Sequence, residues 1–177
     1  MDDVEMRRLY YSILVESRDE VRSEAAKAFM DSNDTRLQAL AAIGNDLSKV
    51  LSGEAEPESI DGAASRFELF PMDSFWRTFP ETSGQALIIK AQTDSKRKKK
   101  LVKLGLELIA KSQDGGFLLS ERTIELVKSV RKEGGELAKS VLDYQSLMKP
   151  ESRVPKTMKG KKGGRSPKGN GSPRKNA

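Results

Sequence analysis

The chain has 177 residues, of which 36% are hydrophobic and 33% are charged, with a net charge of +6 and neither cysteine nor histidine. The lack of cysteine excludes disulfides and thiolate chemistry, and the lack of histidine removes the commonest general base and zinc ligand. No Walker pattern is present either, so the sequence predicts a protein that is not an enzyme and holds no cofactor or metal.

The basic charge is concentrated at one end of the chain. Residues 149–177 hold ten of the 32 basic residues and one acid, a net charge of +9, whereas residues 1–148 sum to −3. This division predicts one folded domain over 1–148, followed by a polybasic tail over 149–177. Because the tail is rich in proline and glycine and poor in apolar residues, we expect it to be disordered when free.

The first third of the chain has the apolar spacing of helices. Apolar side chains in residues 4–30 recur at steps of three and four, which predicts one helix there. Residues 35–51 carry a second stripe, and the short connection between the two favours an antiparallel helical hairpin. Residues 52–65 contain four acids and no base, which predicts an acidic flexible loop and a poor place for preorganised catalytic carboxylates.

Half of the ten aromatic residues lie between positions 67 and 79. Two prolines interrupt any long helix there, so we expect an irregular segment whose rings fill the core between two helical halves. Two alternatives place rings of this segment at the surface, where they would stack on bases or contact a protein partner. The candidates for such contacts are Phe75, Trp76 and Phe79.

A basic helix is predicted after this segment. Residues 85–92 (QALIIKAQ) fit either a small strand or a buried helical turn, and Asp94 then offers a cap for a helix over 95–111. Six of the eight residues from 96 to 103 are basic, and no acid interrupts them. The run predicts either a phosphate-binding patch or a solvated helix face. Its basic residues are Lys96, Arg97, Lys98, Lys99, Lys100 and Lys103.

Two more helices are predicted between residues 120 and 148, with Gly134-Gly135 bending or breaking the chain between them. The segments together predict an all-α fold. It is a bundle of four or five helices, in which two helical hairpins are joined by the aromatic, proline-containing segment. One small strand at 85–92 would make the fold α+β.

The tail has the composition of a segment that neutralises a polyanion. Two other interpretations remain open, a solubilising segment without a partner and a contact with a membrane surface. The candidate phosphate contacts of the tail are Lys156, Lys159, Lys161, Lys162, Arg165, Lys168, Arg174 and Lys175.

Two short motifs in the tail place a basic residue after Ser-Pro. Ser166-Pro167-Lys168 and Ser172-Pro173-Arg174 resemble the Ser-Pro-basic steps of linker-histone tails. The resemblance implies that Ser166 and Ser172 are phosphorylation sites, at which each phosphate would subtract about 1.5–2 charges from the contact with a polyanion.

The order of elements also resembles the plan of rod-shaped plant-virus coat proteins. A helix pair is followed by an aromatic segment with Thr78-Phe79-Pro80 and then by a second helix pair. The resemblance is confined to this plan, since the chain has no counterpart of the C-terminal Phe-Glu step of that family. It implies a viral coat or nucleocapsid role.

These patterns predict a non-enzymatic protein that binds or packages nucleic acid, RNA in preference to DNA, through phosphate contacts that read no sequence. A viral coat or nucleocapsid-type protein or a silencing suppressor would have this design, and an acidic arm beside a basic half permits homo-oligomers. The alternative is a helical adaptor or matrix-type protein whose tail contacts an anionic membrane or acts as a nuclear import signal. Without an evident signal peptide or membrane span, we expect an intracellular protein, cytoplasmic or nuclear or virion-associated.

Overall fold

The computed structural model describes residues 1–148, which form eight α-helices. The all-α prediction is confirmed, although the helices are more numerous than the four or five expected, and the tail over 149–177 lies outside the described residues. Two short 3-10 helices, Pro57–Ile60 and Phe67–Leu69, flank the fourth helix. The helices are α1 (Asp3–Val15), α2 (Asp19–Met30), α3 (Thr35–Ser52), α4 (Ala63–Arg66), α5 (Thr78–Ala91), α6 (Lys98–Ser112), α7 (Glu121–Ser129) and α8 (Arg131–Met148).

The predicted first helix over 4–30 is two helices, α1 and α2. Glu16 ends α1 in an extended conformation, with φ −66° and ψ 128°. Its carboxylate accepts hydrogen bonds from the Arg18 backbone N–H at 3.1 Å and from the Arg18 guanidinium at 2.9 and 3.0 Å, and such local contacts compete with helical hydrogen bonding. The apolar spacing concealed this break because Leu14 and Val21 are two helical turns apart.

Residues 85–91 form the second half of helix α5, so the helical of the two interpretations is confirmed, and residues 1–148 contain no strand. Helix α5 begins at Thr78 and carries Pro80 in its first turn. A proline there costs little, because the N–H groups of the first turn have no helical acceptor to lose. Pro80 therefore marks the start of a helix instead of interrupting one.

Helices α5 and α6 form an antiparallel hairpin that joins the two halves of the fold. They touch along their backbones, since a methyl group on Gly84 would lie 2.5 Å from the Gly105 carbonyl oxygen and 2.5 Å from Ile109 Cγ1. The amino-terminal half is fixed to this hairpin through α1, where the buried Tyr10 hydroxyl lies 2.6 Å from Ser83 Oγ. The two predicted helical halves are thus joined through the segment between them, and that segment continues into a helix, α5, that pairs with α6.

The acidic segment over 52–65 is irregular but packs against the body. It contains the 3-10 helix Pro57–Ile60 and the start of α4, and the side chains of Pro57, Ile60 and Ala63 are buried. Its flexibility stays a prediction, while these contacts place Glu58 beside the basic residues of α6.

The carboxyl-terminal helices follow the predicted order. The Ser120 hydroxyl caps α7 by accepting a hydrogen bond from the Thr123 backbone N–H at 3.3 Å. The predicted bend at Gly134-Gly135 is confirmed, since Gly135 has φ 55° and ψ −132° inside α8. A second break, at Val130, separates α7 from α8.

Candidate nucleic-acid interface

The predicted basic run lies at the amino-terminal end of α6. Lys96 and Arg97 precede the helix, which begins at Lys98. The first turn contains no acid, and no side chain forms a capping hydrogen bond from the N-cap position. The partial positive charge at the start of a helix therefore adds to the charge of the lysines, an arrangement opposite to the usual placement of acids there.

Arg97 does not extend from the surface as the other basic residues do. Its Nε donates to Asp94 at 2.8 Å, and its Nη1 donates to the carbonyl oxygens of Val50 and Ala55 at 3.1 and 3.3 Å. Only 12% of its side chain is exposed. We therefore correct the sequence prediction for this residue, because Arg97 ties α6 to the end of α3 through its Nε and Nη1 donors.

Two lysines of the run are paired with acids from distant parts of the chain. Lys98 Nζ lies 3.2 Å from Glu133 of α8, and Lys100 forms an ion pair with Glu58. The sequence showed no acid within the run, whereas the fold brings three acids to it, counting Asp94. The cluster is thus partly neutralised.

These contacts favour the charged forms of the three acids and of Lys100. The hydrogen bond from Lys100 lowers the pKa of Glu58 and raises the pKa of Lys100 itself. The pKa of Asp94 is lowered by its hydrogen bond from Arg97. A hydrogen bond from its own backbone N–H, followed by the one from Lys98, lowers the pKa of Glu133. The three carboxyl groups and Lys100 are therefore charged at neutral pH.

The other three lysines, Lys96, Lys99 and Lys103, are exposed and form no ion pair with any acid of residues 1–148. Together with Lys100 they line a groove of about 640 Å³ between α6 and the Glu133–Leu137 stretch of α8. Gly135 leaves one part of the groove open, because a methyl group on it would meet nothing within 4 Å. The groove therefore offers unpaired ammonium groups to an anion that approaches from solvent.

The aromatic candidates belong mainly to the core. Trp76 and Phe79 are buried, as expected of rings that fill the core, which leaves little of either ring for stacking on bases or for a partner contact. Phe75 is half-buried, and its ring packs edge-on against the rings of Trp76 and Phe79 with centroids 5.2 Å apart. The guanidinium carbon of Arg7 lies 5.7 Å from the centroid of the Phe75 ring. Arg7 therefore covers the ring that is the most accessible of these three candidates.

The candidate residues of the tail lie outside the described residues, as do Ser166 and Ser172. Within residues 1–148, the structure thus reduces the six predicted basic contacts to three unpaired lysines. Sequence reasoning missed Glu58 and Glu133, and no local pattern could have found them, because they lie 42 and 35 residues from their lysines.

No protein-family model, curated protein or solved structure matches the chain. No helix in residues 1–148 is long and apolar enough to cross a bilayer. The functional proposal accordingly depends on the geometry and charge of the groove.

Proposed function

We propose that the protein binds the phosphate backbone of nucleic acid without reading sequence and without catalysing a reaction. The observation that supports this is the placement of Lys96, Lys99 and Lys103, which are exposed and unpaired, just before and within the first two turns of α6, a helix whose first turn contains no acid. Lysines at this end repel the helix dipole and one another, so they cost folding free energy. Local arrangements that cost stability are typical of functional sites.

The spacing of the lysines suits a chain of phosphates. Lys99 and Lys103 are one helical turn apart, roughly 6 Å along the axis, so they can contact successive phosphates of one strand. Such contacts fix the position of the strand but carry no sequence information. The tail, with its charge of +9, would raise the rate of encounter and the affinity. The preference for RNA over DNA stays a prediction, which the experiment below also tests.

The direct test replaces the three unpaired lysines in the full chain. With Lys96→Gln, Lys99→Gln and Lys103→Gln together, we expect weaker binding to a single-stranded RNA and a less steep dependence on salt. The slope of log affinity against log salt should fall by about 2, because each lost contact removes roughly 0.7 on a single strand. Fluorescence anisotropy at several salt concentrations measures both quantities for RNA, single-stranded DNA and duplex DNA.

A matched control removes the same charge elsewhere. The exposed lysines 27, 128 and 139 lie outside the groove, and replacing all three with glutamine should leave the slope nearly unchanged. Equal effects of the two triple variants would contradict the proposal. Binding to anionic vesicles but not to any nucleic acid would favour the membrane alternative instead.

The acids that pair with the run should restrain binding. In the double variant Glu58→Gln, Glu133→Gln, the ammonium groups of Lys98 and Lys100 become free for phosphate. We expect tighter RNA binding and a salt slope steeper by about 1.4, at roughly 0.7 per added contact. Anisotropy titrations measure both quantities. The control is the double variant Glu125→Gln, Asp143→Gln, which frees Lys128 and Lys139 outside the groove and is measured in the same way. Unchanged binding in the groove variant would show that Lys98 and Lys100 do not contact RNA.

A further inference from the structure

A second cleft, of about 670 Å³, lies where four helix ends meet. The carboxyl-terminal ends of α1, α3 and α5 and the first turns of α2 form its walls. Its volume falls within the range of small-molecule sites. Part of its lining is apolar, and Val15 and Ile89 are 41% and 38% exposed. The apolar lining residues are Leu14, Val15, Leu51, Ala86 and Ile89.

One of the side chains that line the cleft carries a hydrogen-bond donor without an acceptor. Arg22 lines it from α2, and Arg22 Nε is buried without a hydrogen-bond partner in residues 1–148. Buried polar groups nearly always have a partner, so an orphaned one calls for an explanation, such as a bound ligand. Lys90 of α5 lines the same cleft and forms no ion pair among the described residues.

The acids of the cleft do not satisfy these cations. Glu16 is occupied by Arg18, with Oε1 at 2.9 Å from Arg18 Nε. Asp19 and Glu54 also line the cleft, but both are exposed, so water solvates their carboxylates. A ligand with many negative charges would be repelled by Asp19 and Glu54. A ligand with one negative charge, placed between Arg22 and Lys90, would stay farther from these two acids, and solvent and salt would screen the remaining repulsion.

We propose that this cleft binds a small amphiphilic monoanion, a free carboxylic acid with an alkyl or aryl body. The carboxylate pairs with the Arg22 guanidinium and the Lys90 ammonium, while the apolar body covers Val15 and Ile89. This site is separate from the groove at α6, which is lined by four lysines and has one apolar side chain in its lining, Leu137. The inference holds whether or not the protein binds nucleic acid.

The test is a titration of the full chain with sodium octanoate, followed by amide chemical shifts in two-dimensional NMR. The expected shifts are localised in 14–22, 48–54 and 86–93, and they saturate as a single site. Octylammonium, acetate and tripolyphosphate, which lack either the negative charge, the apolar body or the single charge, should not produce this pattern. Absence of saturable shifts in these ranges, or the same pattern with octylammonium, would overturn the proposal.

A substitution at Arg22 tests whether octanoate binds at this side chain. Arg22→Gln should weaken octanoate binding about tenfold or more, because a charge-assisted hydrogen bond is lost. Lys27→Gln removes the same charge from an exposed position of α2 outside the cleft and should leave the affinity unchanged. Equal affinity of the Arg22→Gln variant and the unmodified chain would overturn the role of Arg22. Thermal unfolding of both variants confirms that each is folded during the titration.

Discussion

Replacing Phe79 with alanine is expected to lower the free energy of unfolding by about 3–5 kcal/mol, the range for truncating a large buried aromatic side chain. Phe79 is 1% exposed, and its ring lies edge-on to that of Tyr10 with centroids 5.2 Å apart. The truncation would leave a cavity where the amino-terminal half meets the α5–α6 hairpin. Urea unfolding followed by circular dichroism measures the change.

The control for Phe79 comes from the same aromatic segment. Leu69 is 69% exposed, so Leu69→Ala should change stability by less than about 0.5 kcal/mol. If Phe79→Ala left stability intact and weakened RNA binding instead, the ring would be a stacking surface and its assignment to the core would be wrong.

The second large effect is expected at the buried carboxylate of Glu81. Its side chain is 7% exposed and pairs with Arg77, which is 11% exposed. It also accepts hydrogen bonds from the Thr123 hydroxyl at 2.6 Å and the Ser120 backbone N–H at 3.0 Å. Glu81→Ala should destabilise the protein by about 3–5 kcal/mol, because it leaves the guanidinium buried without a counter-charge. Urea unfolding again provides the measurement.

Two comparisons separate the buried pair from a surface pair. Glu125→Ala breaks an exposed pair with Lys128, and its effect should stay within about 0.5 kcal/mol. The double variant Arg77→Met, Glu81→Met removes both charges, so it should be less destabilising than Glu81→Ala alone. A double variant as unstable as the single would mean that the contacts to Ser120 and Thr123, rather than the uncompensated charge, dominate.

The helices could be predicted where their apolar side chains repeat against one core. The apolar stripe of α3 and the start of a helix after residue 120 are local patterns, and both predictions are confirmed. The break at Glu16 was missed because the apolar spacing continues across it. For α5 the sequence predicts only a short element at 85–92, because Pro80 suggests an interruption and because this helix is buried on several sides and lacks a single apolar face.

The candidate site shows the same division between local and long-range information. The sequence places six basic residues together, but only the fold decides which of them are free. Arg97 donates hydrogen bonds to Asp94 and to two backbone carbonyl oxygens. The ion pairs of Lys98 and Lys100 join them to acids far away in the sequence. Packing of whole helices creates these contacts, so no local pattern specifies them. Lys96, Lys99 and Lys103 are the basic residues of the run that these contacts leave unpaired.

The most direct test of the central claim is RNA binding by residues 1–148, which lack the tail. Although this part has a net charge of −3, we predict that it binds single-stranded RNA at low salt. Its salt slope should be about −2 to −3, at roughly 0.7 for each of three to four contacts. Adding Lys96→Gln, Lys99→Gln and Lys103→Gln should abolish that binding. If residues 1–148 bind no RNA at about 50 mM salt while the full chain binds strongly, all affinity resides in the tail and the groove at α6 is not a nucleic-acid interface.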